Sequence, residues 1–238
     1  MRNLATLRQF FGGFNRAGLV SVETCRFSPK YGFQGEQSQR NAAPTVRTIA
    51  QPGDDVAIVR LCNPARRNAI SCSMMRDLDE VVHFLETDFQ GSGVILTGDG
   101  DRAFCAGADL HAVKGNLGSR EAGAMMSEYM HFILQRWRRL PQITVAALNG
   151  FAVGGGAELI TTCDHRVAIE AAQVQFVHPK MGLSPGWGGG TRLTQIIGRS
   201  RALRLLASAQ KVSALEGHEL GLIDHVSDCT HAVYGALE

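Results

Sequence analysis

The sequence predicts an α/β fold, and three observations carry that prediction. Short apolar, β-rich runs alternate with amphipathic stretches of helical period. The links between them are short, which favours βα-type units over separate blocks of sheet and helix. Glycine, 27 of 238 residues, gathers in short runs, as in turns built for close backbone approach rather than in a flexible polymer.

The elements follow in order. Residues 1–50 hold seven Lys/Arg against Glu23 and Glu36, a balance of +5 in a chain whose total is +2. The remainder is therefore −3, which gives no support to a basic nucleic-acid surface on the folded part. The opening "MRNLATLRQFFGGFNRAGLVSV" carries Arg2, Arg8 and Arg16 and no acid before Glu23. That composition is transit-peptide-like, and a basic leader without an address is the alternative. Residues 1–50 are expected to be disordered and to lie outside the fold.

"VAIVRL" (56–61) reads as a strand. "SMMRDLDEVVHFLE" (73–86) places Met74, Met75, Leu78, Val81, Val82 and Leu85 on one helical face, with Ser73 as N-cap. "GVILTG" (93–98) is a continuous apolar run between glycines, the pattern of a strand buried on both faces. A long amphipathic helix is expected over 119–140, stopped by Pro141, with a basic end "QRWRRL" suited to the helix C-terminal dipole. "ITVAAL" (143–148) is a second buried strand, "GAELITTC" (156–163) a helix, and "RVAI" and "VQFV" strands. "GWGGGTRLTQIIG" (186–198) and "SRALRLLAS" (200–208) are helices, and "SALE" (213–216) is a capping box opening another. Asp164 and Arg166 are expected to pair.

Six scattered cysteines (25, 62, 72, 105, 163, 229) form no C-x-x-C and follow no secretory signal, so free thiols in a reducing compartment are expected. No apolar run approaches the roughly 18 residues of a membrane helix.

Two glycine-bearing loops follow buried strands: "GDGDRAFCAGADLHAVKG" (98–115) and "NGFAVGGGAELITTCD" (149–164). The first turn of a helix leaves N–H groups unpartnered and favours negative charge. N–H groups converging from two such loops form an oxyanion hole, in which each donor contributes about 2.7–4 kcal/mol to a transition state. A glycine-rich turn between strand and helix is the plain alternative.

"FCAGADL", "NGFAVGGGAEL…CD", "GLSPGWGGGTRL" and "GLID", in this order and spacing over about residues 55–226, resemble the crotonase (enoyl-CoA hydratase/isomerase) superfamily. Within it, the stretch through "RWRRLPQITVAALNGFAVGGGAEL", "FVH…MG" and "P-x-W-G-G-x-T-R-L" is most similar to the branch that decarboxylates ethylmalonyl-CoA and, more slowly, methylmalonyl-CoA in cytosolic metabolite repair. The resemblance implies a spiral of ββα turns forming a core over 51–226, followed by helices that build a homotrimer or hexamer. Here the chain ends at Glu238, so that trimerisation region is expected to be largely missing, leaving a truncated tail at 227–238.

The resemblance also assigns roles. Ala108 and Gly155 offer the two oxyanion N–H groups, and Ala108, Asp109, Leu110 and His111 line the path of the CoA arm. Arg66 and Arg67, in "NPARRNAI" (63–70), border CoA and either meet its phosphates or form a solvated pair on a turn. Glu158 matches one of two carboxylates of family hydratases; a dipole-favoured acid in a first helical turn is its plain reading. The other carboxylate position falls on Lys180, a departure from the hydratases and also from the decarboxylating branch, which usually keeps an acid there. Hydration needs two groups acting as acid and base. Decarboxylation needs a home for the enolate charge and one acid, Glu158 or His178, to protonate carbon. Lys180 either pairs with the substrate carboxylate or is a surface lysine. His178 either contacts that carboxylate or is a core histidine, and Trp187 either narrows the acyl pocket or packs as core. No metal or redox cofactor is implied, since CoA arrives with the substrate, and neither nucleic acid nor membrane is an expected partner. The alternatives are an enoyl-CoA hydratase/isomerase and a catalytically impaired truncated isoform. The branch resembled implies the cytosol, and the leader's composition offers mitochondria as the alternative.

Overall fold

The computed structural model describes residues 45–49, 55–109 and 120–228. Ten strands form two sheets among the described residues. In the larger, β1 (Thr45–Ile49) runs antiparallel to β2 (Val56–Cys62). From β2 the sheet continues in parallel through β3 (Gly93–Gly98), β5 (Ile143–Leu148), β7 (His165–Ile169) and β10 (His225–Ser227). The smaller has β4 (Ala103–Cys105), β6 (Phe151–Val153) and β8 (Gln173–Gln175) in parallel, with β9 (Lys211–Ser213) antiparallel at the edge.

The chain therefore visits the large sheet, then the small one, then a helix, and repeats. β3 and β4 precede α2 (Arg120–Trp137), and β5 and β6 precede α3 (Gly155–Ile160). β7 and β8 precede a 3-10 turn (His178–Met181) and α4 (Gly189–Ile197). This is the expected ββα spiral. It closes with α5 (Arg199–Ser208), β9 and α6 (Ala214–Leu220), whose Ser213–Glu216 capping box forms as read.

The core lies between the large sheet and two helices, α2 and α1 (Cys72–Thr87). Alternation puts Val94 and Leu96 of β3 towards the helices and Ile95 on the other face against Ala147, so β3 is buried on both faces. The six apolar residues expected on one face of α1 are all buried there, opposite Met130, Ile133, Leu134 and Trp137 of α2. Across the helix pair, Asp79 accepts a 3.0 Å hydrogen bond from the Tyr129 hydroxyl and pairs with Arg136, which also grips Glu86. The basic end of α2 is thus an interhelical clip as well as a dipole complement.

Several expectations need correction. The last residues of the presumed leader, Thr45–Ile49, are a strand, because β2 offers an edge and Val46 finds a buried place on α1's side of the sheet; Val46 N–H also donates to Asp77. Residues 1–44 lie outside the described residues. Ser71, not Ser73, caps α1: its Oγ accepts from Met74 N–H, three positions on, while Ser73 is already helical. Helix α4 starts at Gly189, since residues 186–188 bend so that Trp187 N–H and Gly189 N–H both reach Glu158. Arg166 meets Asp164 only at its backbone carbonyl, at 3.2 Å, and its ion pair is with Asp224 at 2.6 Å; the Asp164 carboxylate accepts from Thr144 N–H and Oγ1 at 2.8 Å, tying β5 to β7.

Candidate active site

The site begins where two strands of the small sheet run out. After β4 the chain turns at Gly107, whose φ of 92° lies where only glycine is unstrained. After β6 it turns at Gly154, φ 57°, whose N–H donates to Gln175 O of β8. The two turns touch. A methyl group on Gly107 would stand 3.0 Å from the Gly155 nitrogen, and one on Gly156 would overlap the Cys105 carbonyl. Both glycines are therefore dictated by close approach of two backbones.

This contact brings the N–H groups of Ala108 and Gly155 into one neighbourhood. Neither donates to another described residue, whereas their neighbours do: Asp109 N–H goes to Ile70 O and Glu158 N–H to Gly154 O. Gly155 opens α3, where the N–H has no intrahelical acceptor. Two unpartnered backbone donors from separate loops are the composition of an oxyanion hole.

The segment 63–70 zips along the first loop. Ala106 N–H donates to Arg67 O, Ile70 N–H to Gly107 O, and Asn68 Nδ2 to the carbonyls of Ala103 and Asp99. Arg66 reaches the buried Asp109 at 3.3 Å, bracing the residue after Ala108. The two arginines thus part company: Arg66 meets Asp109, and Arg67 lines a cavity on the outer face of the small sheet. Leu110 and His111 lie outside the described residues.

Glu158, one turn into α3, is 1% exposed. Its Oε2 accepts from Trp187 N–H at 2.9 Å and Gly189 N–H at 2.8 Å, and its Oε1 lies 3.1 Å from His178 Nε2. With two donors already on Oε2, the Oε1–Nε2 contact is where a proton can be held. As a carboxylate, Glu158 only accepts, so Nε2 then carries the hydrogen. His178 is buried, and its Nδ1 finds no partner among the described residues.

The Trp187 ring is buried against the Cα of Gly155, so it flanks the second unpartnered N–H of the candidate site. Lys180 stands exposed on the 3-10 turn, two residues beyond His178 but not in contact with Glu158. The structure therefore gathers Ala108, Gly155, Glu158, His178 and Trp187, and sets Lys180 and Arg67 apart.

Sequence reasoning missed three supporting residues. Arg192 is buried beneath α3, donating to Thr161 Oγ1 at 2.9 Å and Glu158 O at 3.2 Å. Burial pulls its guanidinium down to about 10, although the Glu158 charge opposes the shift. Asn149 accepts from Gly98 N–H and donates to the carbonyls of Gly98 and Gly100, and Asn68 does similar work beside it. The "TRL" and "NG" in the quoted motifs were the available signals; a polar residue next to glycine reads as turn chemistry before it reads as a buried clip.

The enoyl-CoA hydratase/isomerase family profile matches residues 52–233. The chain belongs to the enoyl-CoA hydratase/isomerase family. Like other members, it resembles solved crotonase-type enzymes: an enoyl-CoA hydratase from Bacillus anthracis superposes with a TM-score of 0.76 at 31% identity, covering 81% of this chain and 73% of that one. Among named relatives, ethylmalonyl-CoA decarboxylase of Xenopus laevis is 42% identical over 184 residues, 77% of this chain and 61% of its own length. That of Danio rerio is 46% identical over 176 residues, 74% of this chain and 58% of its own length. This family member thus spans about three fifths of those two relatives.

Proposed function

We propose that the chain carries the catalytic core of an acyl-CoA decarboxylase acting on ethylmalonyl-CoA and, more slowly, methylmalonyl-CoA. The observation that carries this reading is the unpartnered N–H pair of Ala108 and Gly155, on the two loops that adjoin the buried Glu158–His178 contact, with an exposed lysine where family hydratases carry a second carboxylate. Identity of 42–46% to relatives named for that reaction supports the same substrate class.

In the proposed reaction the thioester oxygen sits between the N–H groups of Ala108 and Gly155. The bond from Cα to the carboxylate breaks, its electron pair passes into the enolate, and CO2 departs. The enolate oxygen carries the charge that the two donors hold. A proton from the Glu158–His178 pair then reaches Cα, giving the simple acyl-CoA. Trp187, against Gly155, limits the room beside the thioester and so the length of the acyl branch. No resident metal or redox group takes part.

Hydration of an enoyl-CoA is the second reading, and Lys180 counts against it because a lysine does not replace the second carboxylate. The same proposal assigns the chain to the cytosol, which a reporter fused to residues 1–50 tests; sedimentation tests whether the homotrimer or hexamer of the resembled family forms in this chain. The deciding experiment incubates the protein with ethylmalonyl-CoA and follows CO2 and butyryl-CoA. Turnover that falls about 10²–10⁴-fold in Glu158→Gln is expected. Hydration of crotonyl-CoA without any decarboxylation overturns the proposal.

A further inference from the structure

The small sheet has two faces. Ala152, Val174 and Val212 point into the core, and the alternate residues Phe151, Val153, Gln173, Gln175 and Lys211 point outward. With Arg67, these outward residues line a cavity of about 290 Å3, floored by Ala103 and Ala106. It lies on the side of the sheet away from Glu158.

Its chemistry is that of an amphipathic anion site. The floor is apolar, and Phe151 is still 39% exposed, unusual for a phenyl ring in a sheet. At the rim, the side chains of Arg67 and Lys211 make no hydrogen bond or ion pair with any described residue. Arg67 is set there by its own backbone: its φ of 54° is left-handed, and its carbonyl is pinned by Ala106 N–H at 3.0 Å. Two uncommitted cations around an apolar floor are more than a solvated surface requires.

We propose that this cavity is a second ligand site, separate from the thioester site, for a small carboxylate with a flat apolar body. The body lies on Phe151 and Val153, and the carboxylate meets Arg67 and Lys211. The size suits one such molecule, being at the small end for ligand pockets, and the charge selects an anion.

Titration of the full chain with 2-naphthoate, followed by its fluorescence, tests this. Saturable one-site binding is expected, weaker for neutral 2-naphthamide and weakened about tenfold by Lys211→Glu. Lys211→Met, which removes the charge and keeps the stem, should weaken binding to a similar degree; circular dichroism confirms that both variants fold. Excess CoA should leave binding intact. Equal affinity of the lysine variants, or displacement by CoA, overturns the proposal. So does self-association in sedimentation that Lys211→Glu abolishes, because a second copy of the chain then covers the cavity.

Discussion

The two sheets of this protein are held by different physics. The strands β2, β3 and β5 are six or seven residues long, and their apolar residues pack on α1 and α2. Every strand of the small sheet is three residues long. Pairs that short have little to hold them, and here polar clips do the work: Asn68 and Asn149 on β4, Gly154 N–H on β8, and the Gln175 side chain on Ala209 O. The proposed chemistry sits where the clipped sheet ends. A site that needs free N–H groups cannot be built where every backbone group is committed to a long ladder.

The comparison breaks most visibly in the large sheet. Leu96 of β3 is buried between sheet and helices, so Leu96→Ala should lower stability by about 2–5 kcal/mol in urea denaturation. The surviving folded fraction should keep the affinity of the site for acyl-CoA, because Leu96 belongs to β3 and to neither loop.

The small sheet should respond in the opposite proportion. Gly156→Ala places a methyl on the Cys105 carbonyl. Overpacking of this kind costs about 1–3 kcal/mol, less than the leucine loss. To make room, the end of β4 must move relative to α3, and with it the spacing of the Ala108 and Gly155 donors. The kcat of the proposed decarboxylation should therefore fall by more than the loss of folded protein explains. Unchanged kcat in the folded protein would show that the two loops are not a rigid pair.

Asn149→Ala probes the clips themselves. It leaves the N–H of Gly98 and the Gly100 carbonyl without their side-chain partner, at a cost of about 1–3 kcal/mol, towards the lower end where water can enter. Hydrogen exchange should then rise at Gly98 N–H and in β4 and β6, while the rest of β3 stays protected. A uniform rise over both sheets would show that they open as one unit.

The same division explains what was legible in the sequence. The large sheet and its helices announce themselves by period: "VAIVRL", "GVILTG" and "ITVAAL" as strands, and six apolar positions on one face of α1. The strands β4, β6 and β9 carry no such signal, because three residues are too few to show alternation. The site was legible through its glycines and Glu158, which a family resemblance linked, and the geometry brings those residues together. What the residues do not reveal alone is side-chain direction. Arg66 and Arg67 are adjacent yet point to different places, and Lys180 shares a turn with His178 yet stands in solvent. Thr45–Ile49 was missed because a basic leader hides a strand that only its partner β2 defines.

Two buried thiols give the finest test of the comparison. Cys105 ends β4 in the small sheet, and Cys163 lies beyond α3 near Trp137; burial pushes both up from 9.0 to about 12. In the unfolded chain each ionises near 9.0, so above that pH the unfolded state has lost a proton that the folded state keeps. Stability must then fall as pH rises from about 9 towards 12, by about 1.4 kcal/mol per pH unit for each thiol. Cys105→Ala and Cys163→Ala should each flatten the pH dependence by one such share, measured as urea midpoints. Alkylation by iodoacetamide in this window then separates the sheets, since only an opened thiol reacts. If polar clips alone hold the small sheet, Cys105 is exposed by local opening and reacts faster than Cys163. Equal rates, both matching global unfolding, would mean that the short strands are as firmly held as the long ones, and that the apolar residues on their inner face contribute more than the clips.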